Sequence, residues 1–156
     1  MLSKFSLSHL RFTLEPLETI RLQRMNKGIT LRGAFGTAFR QIVCPDLKAD
    51  CTACTLHPSC PYGIFFAPMI SPDSERLRLN RDMPRPFVIK PPLDEKDQYR
   101  PGDCIVFDLV LVGRAVDFLP YLLVSFKELG QRGIGAGRGR FRIREVESLD
   151  PSGGTE

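Results

Sequence analysis

The chain has 156 residues, of which 42% are hydrophobic and 26% charged, with a formal net charge of +4. These figures exclude a disordered chain and leave room for one domain with a core of its own. The longest apolar run, Phe118 to Phe126, is too short for a transmembrane helix and contains Pro120, and the N-terminus lacks a signal-type apolar segment, so a cytoplasmic chain with reduced cysteines and no membrane partner is expected.

In chain order, residues 5–22 read as a first strand, with Leu10, Phe12 and Leu14 in alternation, a phase change near His9 and Pro16 near an edge or bulge. Lys27-Gly28 reads as a turn. Thr30 is then the expected cap of a helix to about Val43, with Leu31, Ala34, Phe35, Ala38, Phe39 and Ile42 as its buried face and Arg32 and Arg40 outside it. Gly63 to Met69 reads as a short apolar strand, residues 71–86 as an Arg-rich insertion, Phe87 to Lys90 as a further strand, and Tyr99 to Asp103 as a turn. Cys104 to Val112 is the most apolar stretch and is expected to be a central strand buried on both faces, interrupted by Asp108, with Cys104 as a core residue. A second helix is expected to start at an Asp117 cap, to carry Pro120 in its first turn and to stop at Gly130. The last strand puts Phe141 and Ile143 on one face and Arg140, Arg142 and Arg144 on the other; residues 150–156 read as a linker-like tail after a single domain over 1–149.

Two stretches carry chemistry. The first is Cys44, Cys51, Cys54 and Cys60, spaced C-x6-C-x2-C-x5-C within an insertion at 44–62 that has little apolar content. The C-x2-C chelate suits both zinc and an iron–sulfur cluster, and four thiolates in 17 residues can close a tetrahedral site, with His57 as a possible substitute ligand. Reduced, half-buried thiols are the plainer alternative. The second stretch, Gly130 to Arg144, holds five glycines and five arginines. Arg132, Gly133, Gly135, Gly137, Arg138, Gly139, Arg140 and Arg142 describe a flexible cationic loop fit to lie against a polyanion. It follows a helix and precedes a strand, the reverse of a dinucleotide fingerprint, and it lacks the Gly-Lys-Ser/Thr of a P-loop. Sixteen of the 22 basic residues are arginine, clustered at 76–85 and 132–144, which points to a nucleic-acid partner more than the net charge does.

The collected order, strand–helix–strand–strand–helix–strand, predicts an α+β, ferredoxin-like (RRM-like) split β-α-β sandwich, with an antiparallel sheet backed by two helices on one face. At this point Leu31-Arg-Gly-Ala-Phe-Gly36, Cys60-Pro-Tyr-Gly, Pro86-Phe-Val-Ile-Lys-Pro-Pro, Tyr99-Arg-Pro-Gly-Asp and Gly130-Gln-Arg-Gly-Ile-Gly-Ala-Gly-Arg-Gly-Arg-Phe together carry a resemblance. The chain resembles the CRISPR-associated RAMP proteins, above all the precursor-crRNA-processing endoribonucleases with a four-cysteine cluster, and within them an N-terminal domain. The resemblance implies crRNA or CRISPR-repeat RNA as ligand, metal-independent cleavage, and a second RAMP domain or other CRISPR effector proteins as partners. Such cleavage needs a base on the 2′-OH, and His9 is the candidate, since His57 sits in the cysteine loop, while Arg32 and Arg40 join the loop arginines as the residues expected to bind the RNA phosphates. Without a complete active site, the chain is expected to hold RNA as an RNA-binding domain. The alternatives are a non-catalytic structural subunit of a CRISPR effector and a small metal- or iron–sulfur-binding protein.

Overall fold

The computed structural model describes residues 6–70 and 83–149. The Arg76 side of the basic cluster, most of the expected insertion and the tail at 150–156 lie outside the described residues. Four strands form the main sheet: β1 (Leu7–Pro16), β3 (Phe87–Lys90), β5 (Ile105–Val112) and β6 (Phe141–Ser148), in the order β3-β5-β1-β6, all antiparallel. Two short strands, β2 (Ile20–Arg21) and β4 (Gln98–Tyr99), pair separately. The helices are α1 (Lys27–Val43), α2 (Pro61–Phe66) and α3 (Leu119–Arg132).

Alternation decides which face of the sheet is covered. Leu10, Phe12 and Leu14 stand opposite Leu109, Phe107 and Ile105, and all six are buried. Leu31, Phe35 and Phe39 of α1 and Leu122, Phe126 and Leu129 of α3 close over them. Phe12 stacks on Phe107 with ring centroids 5.1 Å apart, and Phe35 on Phe126 at 4.7 Å. Rings this close gain about 0.5–1.5 kcal/mol beyond the area they bury. The intervening residues His9, Arg11, Thr13, Val88 and Val106 lie on the other face, where no described helix covers them. β5 is therefore central but not buried on both faces: its interior partners are strands, and Val106 is exposed.

Several local expectations are corrected. α1 begins at Lys27, not after Thr30, because the Lys27 side chain is itself buried and anchors the first turn: its Nζ donates to Asp94 O at 2.6 Å and Oδ1 at 2.9 Å and lies over the Tyr99 ring. Ile42 is half exposed rather than part of the core. Gly63 to Phe66 is helical, with Pro61 in the first turn, where its missing N–H is harmless. Tyr99 belongs to a strand rather than a turn. Asp117 makes no cap hydrogen bond, and α3 runs on to Arg132. Gly130 does not end that helix but lies buried in its last turn, where an added Cβ would stand 2.5 Å from Phe141 O. Cys104 precedes β5 and is half-buried, 3.6 Å from Arg144 Nη1.

Candidate nucleic-acid interface

The glycine-rich loop is a tightly seated hairpin. Gly133 closes α3 by donating to Leu129 O at 2.8 Å, and Ile134 N donates to Gly139 O at 3.0 Å with Ile134 buried beneath. The loop lies against residues 17–21: Ala136 N donates to Arg21 O at 3.2 Å, and Leu17 N donates to Arg140 O at 2.8 Å. The glycines serve this seating. A Cβ on Gly135 would stand 2.1 Å from Arg21 O, one on Gly133 2.1 Å from Arg138 O, and one on Gly139 2.3 Å from Thr19 O. Gly137 alone faces open surroundings, with Arg21 Nη1 3.8 Å away. Arg138 beside it takes a left-handed φ of 50°.

The arginines fall into two sets. Arg140 forms a two-nitrogen pair with Glu18 Oε1 at 2.9 and 3.0 Å, and Arg142 Nε donates to Glu15 Oε2 at 2.7 Å. Those hydrogen bonds hold the Glu15 and Glu18 carboxyls below the usual glutamate range. Arg132 and Arg138 are exposed and make no ion pair among the described residues, and neither does Arg21. Sequence reasoning misses Arg21. Its signal is the alternation Ile20-Arg21-Leu22, in which both neighbours are buried and the arginine is turned out.

Arg32 and Arg40 stand on a separate surface. They line the outer side of α1 with Tyr62, Phe66 and Arg85 around a groove of about 560 Å3. The Arg32 guanidinium lies over the Phe87 ring and that of Arg40 over Tyr62, each 5.3 Å from the centroid. Arg40 Nη2 donates to Ala49 O at 2.9 Å, and the Cys44 and Cys51 sulfurs are its neighbours.

His9 stands on the uncovered face of the sheet. Its Nε2 is 3.0 Å from Asp108 Oδ2, and the same carboxylate accepts from Arg11 Nε at 2.8 Å and Nη2 at 3.2 Å, with Lys90 Nζ at 3.7 Å. Arg11's hydrogen bonds, opposed by partial burial and aided by His9, hold the Asp108 carboxyl below its ordinary range. An ionised carboxylate only accepts, so Nε2 of His9 is the donor of this hydrogen bond. The imidazole is thus oriented by Asp108, with Arg11 and Lys90 beside the same carboxylate. Between His9 and Pro16 the strand advances seven residues, or about 23 Å, and the glycine loop lies beyond Pro16. The fold thus does not bring His9 and the loop arginines to one phosphate.

The four loop cysteines are all free and half-buried. No group of three or more His, Cys, Asp or Glu side chains is gathered among the described residues. The Cys44 thiol is taken up by Asp46 O at 3.1 Å and His57 Nε2 by Ala67 O at 2.6 Å.

Among known proteins, a family model described as AF_1859_N, N-terminal domain, matches residues 5–156. No curated protein matches the chain. A solved structure described as the Csm3-Csm4 subcomplex in the type III-A CRISPR-Cas interference complex is similar at a TM-score of 0.59 and 15% identity, over 92% of this chain and 78% of that one. A Cas6 (TTHB231) product complex matches at a TM-score of 0.45 and 14% identity, and this chain spans 44% of that one. The first likeness shows that this chain shares its fold with that structure. No described helix is long and apolar enough to cross a membrane.

Proposed function

The chain belongs to the AF_1859_N family of N-terminal domains, and from that premise we propose that it is an RNA-binding RAMP domain of a CRISPR system. The RNA is precursor or mature CRISPR RNA, and other CRISPR proteins are its partners, as in the Csm3-Csm4 subcomplex it resembles in fold. The strand order β3-β5-β1-β6, with α1 and α3 on one face, supports reading the sheet as ferredoxin-like. The observation that carries the functional reading is the set of exposed arginines at the glycine loop, Arg132 at its base and Arg21 and Arg138 beside Gly137, none with a carboxylate partner among the described residues. Unpaired arginines on a preformed ledge suit a phosphate backbone, and the seated loop adds little ordering cost on binding.

The test is binding of labelled CRISPR-repeat RNA in EDTA across a salt series. Arg132→Ala with Arg138→Ala is expected to weaken binding several-fold and to lower the salt slope by about 1.4, or about 0.7 for each single-strand phosphate that the variant no longer neutralises. An unchanged slope removes the rim from the interface. A product of defined length in EDTA would assign cleavage as well, with His9 as the base to replace first.

Metal binding at Cys44, Cys51, Cys54 and Cys60 is a separate proposal, because the loop would have to draw its thiols together around zinc or an iron–sulfur cluster. Such binding predicts about one equivalent of metal in protein prepared without oxygen, and a lower melting temperature for Cys51→Ser with Cys54→Ser. Metal-free protein with the melting temperature of the variant ends that reading.

A further inference from the structure

The groove on the outer side of α1 differs from the loop rim in how its cations are held. Among the described residues its lining includes Arg32, Arg40 and Arg85 and no carboxylate. At the sheet edge Glu15 and Glu18 neutralise Arg142 and Arg140, whereas no such counter-charge among the described residues lines this groove. The three guanidiniums are also pre-positioned. Arg32 and Arg40 lie on aromatic rings, and Arg85 Nε donates to Phe66 O at 3.2 Å. Arg40 Nε is buried and makes no hydrogen bond. A fixed guanidinium loses little freedom on meeting an anion, so this arrangement favours binding beyond its charge alone.

Spacing narrows the ligand. Arg32 and Arg40 are eight residues apart on one helix, or about 12 Å along its axis. One phosphate cannot bridge them, so a free nucleotide or inorganic phosphate satisfies one end only. A chain of phosphates reaches both. The floor between them is bare at Gly33, where an added Cβ would meet nothing within 4 Å, and Thr37 is exposed beside it. Ile29 and Leu47, both exposed, give the rim apolar surface for bases.

We infer that this groove binds the backbone of a single-stranded RNA, as a second contact away from the glycine loop. The inference rests on the RNA-binding reading and places part of the ligand along α1. It concerns residues 29–41 together with Tyr62, Phe66 and Arg85, not the loop rim.

Thr37→Glu in the full chain is the direct test, because the position is exposed and its substitution leaves the core untouched. A carboxylate there sits among the proposed phosphates. Binding of unstructured oligouridylate is expected to weaken about five-fold in Thr37→Glu and to stay as in the parent in Thr37→Gln. Arg32→Gln with Arg85→Gln is expected to lower the salt slope by about 1.4, with the melting temperature reporting that both variants fold. If Thr37→Glu and Thr37→Gln bind alike while Arg132→Ala with Arg138→Ala weakens binding, the groove is outside the RNA path and the inference fails, though the functional reading stands. If the parent protein binds no RNA at low salt, both fail. If polyglutamate binds with the same sensitivity to Thr37→Glu and RNA shows none, the groove is an acidic-protein docking site and the inference is overturned.

Discussion

Gly135→Ala is expected to destabilise the protein by about 3 kcal/mol or more, a fall of roughly 6–12 °C in melting temperature for a domain of this size. Two causes add. The residue has a φ of +76°, which costs an L-residue about 1–2 kcal/mol. Its new Cβ would stand 2.1 Å from Arg21 O, a backbone atom held in β2. Relief requires the loop to lift, which breaks the Ala136 N to Arg21 O bond and uncovers Ile134. Gly137→Ala is the comparison. It carries a similar φ of +81° but meets only the end of the Arg21 side chain at 3.8 Å, so about 1 kcal/mol is expected. Thermal melts of both variants decide the matter. Equal losses at 135 and 137 would mean that conformation alone selects glycine. Unchanged melting with abolished RNA binding in both would mean that the glycines exist for close approach of the ligand.

This comparison also marks where the sequence stops being informative. Glycine at every second position signals a loop that side chains cannot occupy, and that much is legible. What the loop lies against is not. Its support is residues 17–21, and β2 there is two residues long, paired to Gln98 and Tyr99 in a segment with the composition of a turn. The same distance in sequence hides the fate of the arginines. Arg140 and Arg142 read as free cations until the chain brings Glu18 and Glu15 beside them across more than a hundred residues. The core is more legible because it follows local periods: Leu31, Phe35 and Phe39 on α1 and Leu10, Phe12 and Leu14 on β1 are buried as their spacing demands. The apolar run Gly63 to Phe66 fits either period, and the local close approach of Gly63 to His57 O, 2.9 Å from an added Cβ, belongs to the helical answer. Past Ile143 the alternation of β6 shifts, because a bulge opposite Thr13 and Leu14 inserts Arg144 and moves Val146 onto the core side.

Asp108 shows the same limit and yields the second large effect. In sequence it interrupts an apolar strand. In the fold it is the shared acceptor for Arg11 and His9, two residues of the neighbouring strand, with its side chain 8% exposed. Asp108→Asn is expected to cost about 2 kcal/mol at neutral pH. That is less than the roughly 3–5 kcal/mol of a fully buried pair, because Arg11 keeps 44% of its side chain in water. The pH dependence identifies the cause. Arg11 holds the folded Asp108 carboxyl below its unfolded value of about 3.9. A depressed carboxylate stabilises fully above the unfolded pKa, and that contribution disappears as the pH falls through the folded one. The gap between parent and Asp108→Asn in urea midpoint should therefore close as the pH falls below the unfolded carboxyl value and through the folded one. A gap that survives strong acid would assign the stabilisation to shape and hydrogen bonding at position 108, and the ion pair with Arg11 would then contribute nothing measurable to the fold.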